Sequence, residues 1–197
     1  MYDFFAQNNL NQIEAYIWEL LVQSVDSAKT PFHQGCFATV NDGIPEQRMV
    51  VLRGADAIEK TLSFHTDVRS LKIEHLHLNQ AVSWLFYNTK IKVQLRMYAH
   101  ANIHFEDDIS KNAWQKTRLA SKICYTTQAK PGSLIATPEL IDVNQKEVSE
   151  ELLLFAEKNF AVIKTKIYAM DFVFLNREGN RRAFFDYRTN SYAWKQV

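Results

Sequence analysis

Residues 91–104 read IKVQLRMYAHANIH, and their alternation decides the fold. Ile91, Val93, Leu95, Met97 and Ala99 fall on one face of an extended chain, and Lys92, Gln94, Arg96 and Tyr98 on the other. A period of two sustained over this length is a strand with one buried face, and so long a strand bends around a barrel. Just before it, AVSWLFY (81–87) is apolar and aromatic, as expected of a central strand. Further out, RMVVLR (48–53) and TLSFH (61–65) are β-rich runs, and residues 36–40 form a short strand ending at the turn signal Asn41-Asp42-Gly43. On the other side, residues 160–175 (FAVIKTKIYAMDFVFL) read as a strand or strand pair. Arg177-Glu178-Gly179-Asn180 is a hairpin turn, and residues 181–187 and 192–195 close the sheet over the C-terminal stretch 160–197.

Helices fill the gaps. Ile13, Ile17, Leu20, Leu21 and Val25 recur at spacings of three and four, so residues 10–27, within about 9–28, are expected to be helical. Residues 67–76 read as a helix with Asp67 as N-cap, followed by helical zones over 108–122 and 148–159. About six strands with interspersed helices predict one α+β domain, residues 1–197, built on an antiparallel barrel.

The 197 residues suffice for a sizeable core, and 47% hydrophobic with 13% aromatic residues excludes a disordered chain. Lys and Arg total 23 against 22 Asp and Glu, so no surface-wide positive field exists. A general nucleic-acid binder is therefore not expected, and any phosphate site must be a local cluster. Cys36 and Cys124 form no CxxC pair and read as reduced core thiols of a cytoplasmic protein. The first residues, MYDFFAQNNLNQIEAYIWELL, lack a basic region and a long apolar run, so neither a signal peptide nor a membrane span is expected. The five glycines form no GxGxxG or Walker loop, so a nucleotide-like ligand must be held mainly by side chains.

Three pieces carry the candidate chemistry: RMVVLR (48–53), FHTDVRSLK (64–72) and VQLR (93–96). Arg48 shares a face with Val50 and Leu52, and Arg53 takes the other. Thr66 lies at a strand end, and Asp-x-Arg-Ser-x-Lys then opens a helix whose free N–H groups favour an anion. The Ser70 hydroxyl, Arg69 and Lys72 add hydrogen bonds and charge suited to a phosphate. A capped, solvated helix start with ordinary surface charge is the competing reading of this segment.

In this order and spacing, the pieces resemble the pyridoxamine 5′-phosphate oxidase family, and most closely its related FMN-binding branch. The resemblance covers most of 48–103 and returns weakly at the C-terminus. It implies an FMN-binding split barrel, α+β, working as a homodimer with FMN at the interface. It also implies that Arg48 and Lys72 meet the FMN phosphate, and that the backbone of Met49, Val50, Val51 and Leu52 runs along the isoalloxazine ring. Arg53 would stand near ring and substrate, His65 and Thr66 at the flavin, and Gln94 would hydrogen-bond the flavin, often across the dimer. Leu71 stands where the family has an arginine before the lysine, and Arg69 is the candidate replacement. Arg181 or Arg182 matches the substrate arginine, but Ala183 replaces a histidine, Phe185 a basic flavin contact and Leu175 an aromatic. Residues 193–195 match a terminal tryptophan region, yet the chain stops at Val197 without the family's Arg-Leu-x-Pro ending.

These departures argue against pyridoxamine-phosphate oxidation and leave flavin binding intact. The expectation is an FMN-dependent oxidoreductase of unknown small-molecule substrate, with no convincing acid–base residue. The alternatives are a non-catalytic flavin-binding or stress-related module, or a split-barrel binder of haem or a deazaflavin. Haem would need an axial ligand from His65, His75, His77, His100 or His104. Trp114, Arg118, Ser121, Lys122 and Tyr125 fall where the family holds substrate phosphate, although a charged amphipathic helix explains them equally well. His75 and His77, two apart on a helix, face different ways and read as surface or interface residues, and no metal site is expected. Glu106-Asp107-Asp108 reads as helix capping.

Overall fold

A computed structural model describes residues 2–142 and 147–197, without the side chains of residues 2 and 3. In chain order the elements are α1 (Tyr2–Phe5), α2 (Leu10–Gln23), β1 (Gln34–Asn41), β2 (Ile44–Val51), β3 (Gly54–Asp56), β4 (Thr61–Asp67), α3 (Leu71–Leu78), β5 (Ala81–Asn88), β6 (Val93–His104), α4 (Asp108–Lys116), α5 (Leu119–Ile123), α6 (Glu150–Glu157), β7 (Phe160–Phe174), β8 (Arg181–Asp186) and β9 (Ser191–Lys195). The strands form one sheet in the order β2-β1-β5-β6-β7-β4-β3, with β8 on β7 and β9 on β8. Every pairing is antiparallel. The α+β antiparallel architecture expected from the sequence is present, with nine strands among the described residues where about six were expected.

Connectivity shows how the sheet curls. β2 and β3 lie at opposite ends of the strand order, yet only Leu52 and Arg53 separate them in sequence. The sheet must therefore bend until its ends meet. The corner is fixed by the Leu52 N–H donating to the His33 carbonyl (2.9 Å) and the Arg53 N–H to the Ser63 carbonyl (2.8 Å). Gly54 follows the corner and packs against Ser63, whose hydroxyl a Cβ at this position would displace.

β6 keeps the alternation seen in sequence, with Val93, Leu95, Met97, Ala99 and Ala101 all buried. It starts at Val93 because Asn88 Oδ1 accepts the N–H groups of Lys90 and Ile91 and holds residues 89–92 as a turn. β7 is a single strand whose phase shifts midway. Ile163, Thr165 and Ile167 are buried in its first half, and Met170, Phe172 and Phe174 in its second. The register against β6 slips at Tyr98/Ala99, where Tyr168 is the extra residue. Its two halves also take different partners, β4 and β8, so the sheet divides there. Inside, Trp84 stacks on Phe86, and Phe37, Phe64 and Phe32 pack edge-on or tilted against this pair or one another in the core.

Gly35 sits against that aromatic cluster, and a Cβ there would lie 2.5 Å from Phe86 Cε1. Phe86 is buried and wedged between Phe32 and Trp84, so it has little room to yield. Gly35→Ala is expected to lower unfolding free energy by about 1–3 kcal/mol, read as a lower urea midpoint at unchanged slope.

Several local expectations are corrected. Asp67 ends β4 instead of capping a helix, because its carboxylate accepts the Arg69 N–H at 2.8 Å in a turn of its own. The helix starts later, at Leu71, with Ser70 as N-cap. The zone 108–122 divides into α4 and α5, because the Thr117 N–H and hydroxyl donate to the carbonyls of Trp114 and Ala113 and close the first helix. The two cysteines are not core residues: Cys36 is half-buried and Cys124 exposed. His75, expected at a surface or an interface, is 4% exposed and buried within the chain itself. The acidic run does cap, with Asp107 accepting the Ser110 N–H at 2.9 Å. Among the described residues, no helix is long and apolar enough to cross a membrane.

Candidate functional site

A cleft of about 470 Å³ opens where the sheet ends meet, within the usual size range of small-molecule sites. β2 contributes Arg48, Met49, Val50 and Val51, and the corner contributes Arg53. β4 adds Phe64, His65 and Thr66, α3 adds Lys72, and the α5 segment adds Ala120, Ser121, Cys124 and Tyr125. Among the described residues, three cations line this cleft and no carboxylate does.

Lys72 is the most informative of them. Its Nζ donates to Thr66 Oγ1 (2.9 Å) and Ser70 Oγ (2.8 Å), and no carboxylate among the described residues lies within ion-pair distance of it. Burial lowers its pKa to about 8, the Arg48 charge adds to the effect, and Asp67 opposes it. Arg48 NH1 donates to Thr39 Oγ1 (2.7 Å) and the Glu46 carbonyl (2.9 Å), and its NH2 pairs with Glu46 Oε2 at 3.3 Å. Burial lowers its pKa too, with Glu46 opposing. The His65 imidazole is pushed down to about 4, chiefly by burial and then by Arg53, so it is neutral at pH 7. Its ring lies edge-on to Phe160, with centroids 4.8 Å apart. Burial raises the Tyr125 phenol well above its ordinary value, which keeps a hydroxyl in the cleft wall.

The residues singled out from sequence divide into groups. Arg48, Met49, Val50, Val51, Arg53, His65, Thr66 and Lys72 come together in the cleft. Leu52 does not line it: its side chain is fully buried and its N–H is spent on His33. Arg69 is turned away, because Nε and NH2 grip both Asp67 carboxylate oxygens (3.0 and 2.7 Å) and NH1 and NH2 reach the carbonyls of Gln128 and Thr127. Ser70 sits behind Lys72, accepting from it while donating to the Asp67 carbonyl. Gln94 lies apart, paired across the sheet with Tyr87 and Val173. Arg181 binds the Gln7 carbonyl and Asn8 Oδ1, and Arg182 makes a bidentate pair with Asp171 (3.0 and 2.7 Å), both away from the cleft. Arg118 is exposed at the start of α5 and does not line the cleft. Cys124 was read as core; helical spacing from Ser121, which puts both on one face, was the available signal.

Residues 15–105 match the family model for the pyridoxamine 5′-phosphate oxidase FMN-binding domain. Over that stretch the chain is similar to the FMN-binding domain of the pyridoxamine 5′-phosphate oxidase family. The match contains the β2, β4, α3 and β6 residues discussed above and ends before α4. Among solved structures, a pyridoxamine 5′-phosphate oxidase-related FMN-binding protein from Nostoc punctiforme superposes with a TM-score of 0.68 at 19% identity, covering 93% of this chain and 95% of the other. PhzG from Burkholderia lata, in complex with tetrahydrophenazine-1-carboxylic acid, gives 0.65 at 16% identity, covering 100% and 95%. A Clostridium acetobutylicum protein related to general stress protein 26 gives 0.56 at 12% identity, covering 88% and 99%. At these identities the likeness carries the fold. No curated protein sequence matches the chain.

Proposed function

We propose that this cleft holds FMN, with the phosphate against Lys72 and Arg48, and that the chain is an FMN-dependent oxidoreductase of a small molecule. The observation that carries the reading is a cleft with three cations and, among the described residues, no carboxylate in its lining and no anionic partner for its half-buried lysine. A dianionic phosphate relieves that repulsion, and Thr66 and Ser70 already aim the Lys72 ammonium. Beside the charge, Val50, Val51 and Phe64 offer an apolar wall of the kind a flat ring needs. Bound FMN would supply the redox chemistry through its ring. The protein's share is to hold the phosphate, align the ring along β2, and present a neutral imidazole at His65 with a cation at Arg53.

In this reading the functional unit is a homodimer in the cytoplasm. Gln94 and Arg182 lie outside the cleft, so they reach a flavin only from a second copy. Met49 and Leu85 flank Cys36 on the outward sheet face and are 64% and 39% exposed, an apolar surface suited to such contact. The unpaired thiols of Cys36 and Cys124 suit a reducing compartment.

Purified protein is expected to show the near-ultraviolet and blue bands of oxidised flavin, identified as FMN after release. A Soret band, or failure to retain added FMN, overturns the reading. Flavin bleaching by amine or nicotinamide donors then separates an oxidoreductase from a storage module.

A further inference from the structure

His75 stands behind the cleft on α3 and is 4% exposed, and the account of FMN binding gives it no role. Its Nδ1 lies 3.1 Å from Thr39 Oγ1 on β1, and Thr39 is fully buried. The same Thr39 oxygen accepts from Arg48 NH1 at 2.7 Å. A guanidinium can only donate, so the threonine proton is free to go to the imidazole, and the tautomer with Nδ1 as acceptor uses it. The ring proton then sits on Nε2, which faces Glu46 Oε1 at 3.9 Å. Glu46 in turn pairs with Arg48 through its other oxygen at 3.3 Å. Arg48, Thr39, His75 and Glu46 thus close a ring in which the imidazole touches both side chains that hold the arginine.

We propose that His75 is a positioning residue for the phosphate end of the ligand: through Thr39 and Glu46 it fixes the Arg48 guanidinium. The inference rests on the reading that Arg48 meets the FMN phosphate. Arg48 has a long side chain with large rotamer entropy, and one kept in place before binding loses less when the phosphate arrives. Thr39 by itself constrains NH1 through a hydroxyl that could rotate. His75 removes that freedom, because the hydroxyl proton has a buried acceptor. Glu46 is the mobile member, with its side chain 42% exposed. It competes with an incoming phosphate for Arg48, and His75 Nε2 lies near it, 3.9 Å from Oε1 and beyond hydrogen-bond length.

The test compares FMN with riboflavin, which carries the same ring without the phosphate, by quenching of flavin fluorescence. His75→Leu keeps bulk but removes the acceptor, and Thr39→Val removes the hydroxyl at nearly constant shape. Each is expected to weaken FMN about five- to twenty-fold, the scale of a lost buried hydrogen bond, with riboflavin affinity unchanged. His75→Asn, whose amide oxygen can stand in for Nδ1, is expected to recover most of the loss. In an Arg48→Ala background, His75→Leu should add nothing, because its effect runs through the guanidinium. Parallel losses for FMN and riboflavin mean a merely structural histidine and overturn the proposal. Unchanged FMN affinity in both His75→Leu and Thr39→Val overturns it alone if Arg48→Ala still weakens FMN selectively. If Arg48→Ala has no selective effect, the phosphate assignment of Arg48 fails and the role of His75 fails with it.

Discussion

Lys72→Ala is expected to weaken FMN binding by about 10- to 150-fold, the scale of a charge-assisted hydrogen bond lost in a partly buried site. The pH dependence distinguishes this from a general loss of shape. Without ligand, the Lys72 pKa lies near 8, below its ordinary value, because burial and Arg48 disfavour the ammonium. A phosphate beside it must raise that value, so binding takes up a proton between the two pKa values. The Lys72 contribution to FMN affinity is therefore flat from about pH 7 to pH 8 and falls as pH rises above that, by up to tenfold per unit. Lys72→Ala removes that step while leaving any other pH dependence. The same shift gives a sign for stability of the unliganded protein. The unfolded chain binds more protons at Lys72 between pH 8 and the ordinary lysine value, so this residue's contribution makes stability rise with pH there. Saturating FMN should flatten that rise. Titrations from pH 7 to 10 showing no fall in wild-type affinity would remove Lys72 from the phosphate site.

Much of this was legible in the sequence because the signals are local. The alternation from Ile91 onward placed β6 and its buried face, and the RMVVLR and HTD-x-RS-x-K segments converge on one cleft. The misreadings come from side chains whose partners are distant or unexpectedly near. Arg69 looked like a phosphate ligand, yet Asp67, two residues away, holds it in a bidentate grip that also ends β4. The α5 wall was uncertain because only the break at Thr117 turns Ser121 and Cys124 into the cleft. Periodicity could not decide whether residues 160–175 were one strand or two, since a bulge at Tyr168 reverses the phase without ending the strand. His75 carried no readable signal at all: its meaning depends on Thr39, thirty-six positions earlier, lying across from it.

Lys60 is the strongest case of a residue whose role is invisible in sequence, and it gives the largest expected stability effect. It sits in the turn before β4 with φ 50, where local context suggests an exposed loop lysine. Instead its Nζ lies 2.6 Å from Glu14 Oε1 on α2, and 5.0 and 5.2 Å from the ring centroids of Trp18 and Tyr187. Trp18 Nε1–H donates to the Tyr187 hydroxyl at 2.9 Å, so helix, turn and the end of β8 are tied at one point. Burial, followed by the Glu14 charge, raises the Tyr187 phenol above its ordinary value. Glu14 is 7% exposed, so removing it strands a cation against two aromatic rings with only partial access to water. Glu14→Leu is expected to cost about 2–3 kcal/mol, below the full value for a buried pair because the Lys60 side chain keeps 22% exposure. Replacing both partners, Glu14→Leu with Lys60→Met, should recover most of the loss, since an apolar pair carries no desolvation cost. Urea unfolding of the two single variants and the double variant measures the coupling directly. If the double variant is as unstable as Glu14→Leu, the loss arises from disturbed packing around Trp18 and Tyr187, and the ion pair itself contributes nothing. If Lys60→Met alone is neutral while Glu14→Leu is costly, the stranded ammonium, and not the lost attraction, is what destabilises the fold.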